Sequence, residues 1–179
     1  MASVVFFRAV NVGGHQKFQP SVLAKELAHL GVVNLGAAGT LVVREKVTEA
    51  KLREEIFRRM PFQPELMICT AREVLDLARD ELFGEPPAGK ILQRFVSVLA
   101  KSPRPTPSLP IEQPAGNKWE VRVVAIVGKF ALIWRRPGPK GLYPNAVVEK
   151  ALGLPATTRN WNTIESICGL FERSKDEVG

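Results

Sequence analysis

Residues 40–70, TLVVREKVTEAKLREEIFRRMPFQPELMICT, decide the fold class of this chain. Residues 40–43 and 65–69 are short runs rich in branched apolar side chains and bounded by polar residues, so both predict strands. Between them, residues 48–60 form a charged segment in which Leu52, Ile56 and Met60 recur every four positions, the spacing of an amphipathic helix. Toward the N-terminus, residues 32–35 predict a partner strand across the tight GAAG turn at 36–39. PSVLAKELAHL, residues 20–30, places Leu23, Leu27 and Leu30 at helical spacing, with Pro20 suited to a first turn and Gly31 to a stop. Val4, Val5, Phe6 and Phe7 form a continuous apolar run, the signature of a strand buried on both faces. Residues 1–70 therefore spell βαββαβ, the order of a ferredoxin-like sandwich with two helices on one face of a four-stranded sheet.

Thr70 followed by Glu73 reads as a capping box, with Val74, Leu75, Leu77 and Ala78 as the buried stripe of a new helix. A boundary at this point divides the chain into residues 1–70 and a second α/β region, 71–179. In that region residues 92–100 and 119–127 are strand-like. Phe130, Leu132 and Trp134 alternate with Lys129, Ala131, Ile133 and Arg135, which predicts a third strand with one strongly apolar face. Helices are predicted over 146–152 and 163–173. SPRPTPSLPIEQPAGN, residues 102–117, holds five prolines in 16 positions, and that density predicts a loop outside any sheet. The expected architecture is α+β: two packed ferredoxin-like α/β-sandwich halves with mostly antiparallel sheets and a Pro-rich loop inside the second.

With 179 residues, 45% of them hydrophobic, the chain can bury a sizeable core. No stretch approaches the roughly 20 apolar residues of a membrane span, and Arg8 interrupts the apolar start. The expectation is a cytoplasmic protein without a membrane partner. Cys69 and Cys168 lie apart among apolar neighbours, which predicts buried free thiols. His15 and His29 are the only histidines, too few for a zinc site or a serine-type triad, and no metal is expected. The net charge of +7 is concentrated: residues 91–145 carry nine cations against two carboxylates, and the rest of the chain is close to balanced. Such a local field attracts phosphates and nucleic acid.

Three loops carry the polar groups of interest. In RAVNVGG, residues 8–14, Gly13 and Gly14 permit positive φ and close backbone approach beside Arg8, Asn11, His15 and Lys17. This turn either cradles an anion or reverses the chain, with Asn11 capping its own backbone. It is neither GxGxxG nor GxxxxGK[ST], and no cofactor is implied. In TTRNWNT, residues 157–163, Asn162 is the expected N-cap, with Glu165 at the third helical position. Arg159, Asn160 and Trp161 offer a donor fork and a stacking face for a planar or phosphorylated ligand. The alternative packs Trp161 into the core and pairs Arg159 with a carboxylate. In RRPGPKG, residues 135–141, Arg135, Arg136 and Lys140 share one turn beside Leu142 and Tyr143; its plainer reading is a solvated basic turn. GKFALIW, residues 128–134, is faintly similar to the base-stacking strand of RNA-recognition domains, but Phe130 and Trp134 fit core positions better.

RAVNVGGHQKF, the GAAGTLVV stretch and PNAVVEKALGLPATTRNWNT together resemble a bacterial domain-of-unknown-function family, number sixteen ninety-seven. The resemblance covers nearly the whole chain. It implies a small cytoplasmic protein of two ferredoxin-like halves. By resemblance the carried-over positions are Arg8, Asn11, Gly13 and Gly14 in the first loop and Arg159, Asn160, Trp161 and Asn162 in the last. Two stretches depart from the family pattern. GAAGT, residues 36–40, stands where the family tends to have a Ser-Gly-Asn turn, and GPKGLYPN, residues 138–145, where it tends to have Gly-Arg-Ser-Lys. A ligand site built on those polar groups is altered here.

The functional expectation is binding of an anionic ligand, a phosphorylated small molecule or single-stranded nucleic acid. The expected place is a groove between the halves lined by Arg8, Asn11, Gly13, Gly14, Lys140, Arg159, Asn160 and Trp161. An enzyme using the same groove is the first alternative, and its candidate bases are thin: His15, or Tyr143 beside Lys140. A protein-interaction module docking through the Pro-rich loop or a sheet face is the second.

Overall fold

Nine strands and five α-helices alternate along the residues described by the computed structural model, 1–11, 14, 17–78, 80–89 and 92–176. The chain divides into two compact units, Met1–Ala78 with Glu165–Gly179, and Arg79–Ile164.

The first unit runs β1 (Ser3–Arg8), α1 (Pro20–Glu26), β2 (Val32–Asn34), β3 (Thr40–Val43), α2 (Glu49–Phe57), β4 (Glu65–Thr70) and α3 (Ala71–Leu75). Its strands pair antiparallel in the order β2-β3-β1-β4, with Val5 opposite Leu41 on one side and Ile68 on the other. This is the ferredoxin-like order that the alternation of residues 1–70 predicts. Because side chains alternate along a strand, Val5, Phe7, Leu41, Val43, Leu66 and Ile68 share one face. Leu23 and Leu27 from the α1 segment and Leu52 and Ile56 of α2 pack on that face. The opposite face, with Val4, Phe6, Val42, Met67 and Cys69, is buried as well. Thr48 caps α2 and accepts from the Lys51 amide. Thr70 and Glu73 form the expected capping box at α3.

The second unit runs β5 (Gln93–Leu99), β6 (Ile111–Gln113), β7 (Val121–Val127), β8 (Phe130–Arg135), α4 (Pro144–Leu152) and β9 (Ala156–Asn160), and contains the start of α5 (Trp161–Asp176). The sheet order is β6-β7-β8-β5-β9, all antiparallel. Leaving out the edge strand β6, the order β7-β8-β5-β9 repeats the order β2-β3-β1-β4 of the first unit. Where the first unit has α1, the second has the Pro-rich stretch. Val147 and Val148 of α4 pack on Leu99, Val121, Val123, Ala131, Ile133 and Ala156.

Two expectations are corrected here. Residues 102–117 are not excluded from the sheet, because Ile111–Gln113, lying between Pro110 and Pro114, pairs with β7. An edge strand has one neighbour, so flanking prolines that cannot donate do not break a ladder. And β8 is buried on both faces, Ala131 and Ile133 as fully as Phe130, Leu132 and Trp134, because it is a central strand.

Candidate functional site

At the end of β1 the backbone of Ala9 and Asn11 takes positive φ, 55° at each, which L-residues rarely adopt. Asn11 holds this turn by bridging. Its Nδ2 donates to the Ala37 carbonyl at 3.2 Å and its Oδ1 accepts from the Phe18 amide at 2.9 Å, so the amide ties 36–39 to the entry of α1 instead of capping its own backbone. Arg8 donates to Glu65 Oε1 at 2.8 Å, across the β1–β4 pair. Gly14 has φ +80°. Gly13 and His15 lie outside the described residues.

The 135–142 turn is organised around a carboxylate. Glu120, 2% exposed, accepts from the Lys140 amide at 2.7 Å and the Leu142 amide at 2.8 Å, one on each oxygen. The Leu142 hydrogen bond foremost, opposed by burial, and then the Lys140 amide with the charges of Lys140 and Arg135, hold its carboxyl below the ordinary glutamate range. A Cβ on Gly138 would stand 2.5 Å from the Glu120 side chain, so glycine is required there. Arg136 donates to the Trp119 and Asn117 carbonyls, and Trp119 lies between the guanidinium groups of Arg136 and Arg122 at 4.1 and 4.2 Å. Arg122 in turn pairs with Glu112 at 2.7 Å. Of the basic groups in RRPGPKG, Arg135 and Arg136 are thus held by protein oxygens.

At the junction of β9 and α5, Asn160 is the capping residue. Its Oδ1 accepts from the Thr163 amide and hydroxyl, both at 3.0 Å, and the helix starts at Trp161. The expected cap at Asn162 is therefore displaced by two residues, since β9 runs directly into α5 and places Asn162 inside the first turn. Arg159 is 7% exposed and donates to Thr157 Oγ1 at 2.7 Å and the Thr158 carbonyl at 3.0 Å; burial lowers its pKa to about 10, so it stays charged at neutral pH. Trp161 is 4% exposed, and its indole N–H is buried with no hydrogen-bond partner among the described residues.

Trp161 belongs to a cluster that sequence reading misses. Phe83 stacks edge-on with Trp161 at 5.0 Å and Trp134 at 5.6 Å, and accepts from the Trp134 indole at its carbonyl. The Arg94 guanidinium lies 5.4 Å from the Phe83 ring centre and 5.1 Å from that of Trp161, within cation–π range of both. Beside it opens a cavity of about 350 Å³, lined by residues 92–95, Trp134 and residues 160–162. The cavity falls within the size range of small-ligand sites. Arg94, Gln93, Asn160 and Asn162 are among its lining residues, and the 16-residue helix α5 starts at it. A helix N-terminus and a guanidinium both favour negative charge. The available signal for Arg94 is a lone cation in the strand QRFVSVL.

Of the residues singled out from sequence, Trp134, Asn160, Trp161 and Asn162 line this cavity; Arg159 and Lys140 are in the same unit but do not line it. Arg8, Asn11 and Gly14 belong to the other unit. Among the described residues no cluster of His, Cys, Asp and Glu is arranged to hold a metal, and no helix is long and apolar enough to cross a membrane.

Residues 1–127 match the model of a family described as a protein of unknown function, DUF1697. No curated protein matches the sequence. Among solved structures, the conserved bacterial protein SP0830 from Streptococcus pneumoniae is similar, with a TM-score of 0.57 at 18% identity, covering 94% of this chain and 97% of that one. At that identity the likeness is one of fold.

Proposed function

We propose, for a chain that belongs to the DUF1697 family of proteins of unknown function, that it binds an anionic ligand in the second unit, at the cavity beside Arg94. The observation that carries this reading is the Arg94 guanidinium, held against Phe83 and Trp161 at the wall of a 350 Å³ cavity that also receives the start of α5. A guanidinium is a preferred partner of phosphate and carboxylate oxygens. Nine cations against two carboxylates in residues 91–145 supply a field of the right sign. Both carboxylates, Glu112 and Glu120, are occupied by groups of this unit. A cytoplasmic location belongs to the same reading, supported by two buried free cysteines, as a reducing compartment allows.

The test is thermal unfolding against pyrophosphate, sugar phosphates, nucleotides and short single-stranded RNA and DNA. A ligand at 100 times its Kd stabilises by about 2.7 kcal/mol, roughly 5–10 °C in Tm for a protein of this size. The expected result is a shift with at least one phosphate ligand, lost in Arg94→Gln and reduced by added salt. A shift of equal size in Arg94→Gln, or none with the whole panel, would contradict the reading.

A further inference from the structure

Where the first unit has α1, the second has prolines, which cannot build a helix and so present no continuous apolar stripe to fill the space beside α4. A cavity of about 580 Å³ opens there. Its walls are Pro103, Pro105 and Pro107, with Ala151 and Leu152 at the end of α4 and Leu154 just after it. Lys101 and Arg104 also line it. Both are exposed, and neither side chain makes a hydrogen bond or an ion pair among the described residues. In this they differ from Arg122, Arg135 and Arg136, which are held by oxygens of the same unit. Among the described lining residues there is no carboxylate and no aromatic ring.

Two unpaired cations on an apolar wall narrow the ligand by what each part rejects. Inorganic phosphate satisfies the cations but leaves the prolines and leucines wet, and a neutral hydrocarbon covers the wall but brings nothing to the cations. A nucleic-acid strand finds no ring here to stack on. We propose that this cavity binds a free aliphatic carboxylic acid, its carboxylate paired with Lys101 and Arg104 and its chain laid on the prolines and the end of α4. The volume is within the range of small-ligand sites. Proline has a fixed φ, so this wall loses little conformational freedom when a ligand seats on it. The site shares no lining residue with the cavity beside Arg94 and does not depend on that reading.

The experiment is calorimetric titration of the full chain with octanoate, hexanoate, octanol, inorganic phosphate and a short peptide ending in leucine. Octanoate is expected to bind about fourfold to fifteenfold more tightly than hexanoate, from two further buried methylenes, and about tenfold or more above octanol, which lacks the charge. Phosphate and the peptide should bind more weakly than octanoate. The double variant Lys101→Gln, Arg104→Gln should bind octanoate no better than wild type binds octanol. Ala151→Glu sets a carboxylate at the wall and should abolish octanoate binding, while Ala151→Gln, of the same size, should weaken it less. All three replaced residues are exposed, so the core stays intact. Equal binding of octanoate and octanol, or octanoate binding unchanged in the double variant and in Ala151→Glu, overturns the site. Phosphate binding as tightly as octanoate overturns the apolar half, and tighter binding of the peptide overturns the free acid in favour of a chain terminus. No binding of octanoate overturns the proposal and leaves the Arg94 reading, which pyrophosphate tests, as it stands.

Discussion

Gly39→Ala is expected to destabilise the protein by about 2–5 kcal/mol, the sum of left-handed backbone strain and overpacking. Gly39 has φ +76°, and a Cβ built on it would lie 2.7 Å from Phe7 Cβ and 3.0 Å from Phe7 Cγ. Phe7 cannot retreat. It is 1% exposed among Val5, Leu41 and Leu66, and its amide donates to the Gly39 carbonyl at 2.8 Å, so the two backbones are bound together. Gly36 is the control, with φ +83° and nothing within 4 Å of a built Cβ. Gly36→Ala should carry the strain alone, about 1–2 kcal/mol. Chemical denaturation of both variants isolates the contact with Phe7, and equal losses would show that the core yields to the added methyl.

Replacing Glu120 should act on the other unit. Its carboxylate is the partner of two backbone amides, at Lys140 and Leu142, and Glu120→Ala leaves both donors without it. A fall of roughly 5–10 °C in Tm is expected from two orphaned amides in a protein of this size. Glu120→Gln keeps the shape but turns one acceptor into a donor facing an N–H, so it should fall by less and not recover wild type. The pH dependence has a definite sign. A carboxyl held below its ordinary value of 4.5 contributes stability that is present above that pH and is lost as the pH falls through the folded-state value. Wild type should therefore lose stability below about pH 4.5 more steeply than Glu120→Gln. An unchanged Tm in both variants would mean that the 138–142 turn is held by other contacts.

The first unit is legible because its elements follow local rules. Short apolar runs at 40–43 and 65–69, four-residue spacing in 48–60 and the Thr70–Glu73 box each specify their own structure, and the sheet order follows from βαββαβ. What is not legible depends on partners distant in sequence. The dependence of Gly39 on Phe7 is invisible in GAAGT, since nothing there says which core residue lies beneath. Ile111–Gln113 is hidden by its prolines until β7 is known to be its single neighbour. The repetition of one strand order in both units escapes the eye because a Pro-rich stretch replaces a helix, leaving no common pattern to compare.

The candidate site divides in the same way. Arg8, Asn11, Arg159 and Asn160 were visible as polar residues in loops, but sequence does not show that Asn11 bridges two loop segments or that Asn160 caps α5. Asn160 and Asn162 have equal capping chemistry, and only the point where β9 stops distinguishes them. Arg94 was hidden in a strand, its aromatic partners Phe83 and Trp161 being 11 and 67 residues away in sequence. Glu120 did leave a signal: it is one of two carboxylates among nine cations in residues 91–145, a setting in which a buried acid finds an organising role.

The central claim is that the cavity beside Arg94 holds an anion, and the most direct measurement is an amide and side-chain NMR titration with pyrophosphate. The expected result is saturable shifts confined to the Arg94 Nε–H, the backbone amides of residues 161–163 and the Trp161 indole N–H, all absent in Arg94→Gln. Shifts that leave these groups unmoved while pyrophosphate binds elsewhere, or that persist in Arg94→Gln, would contradict it.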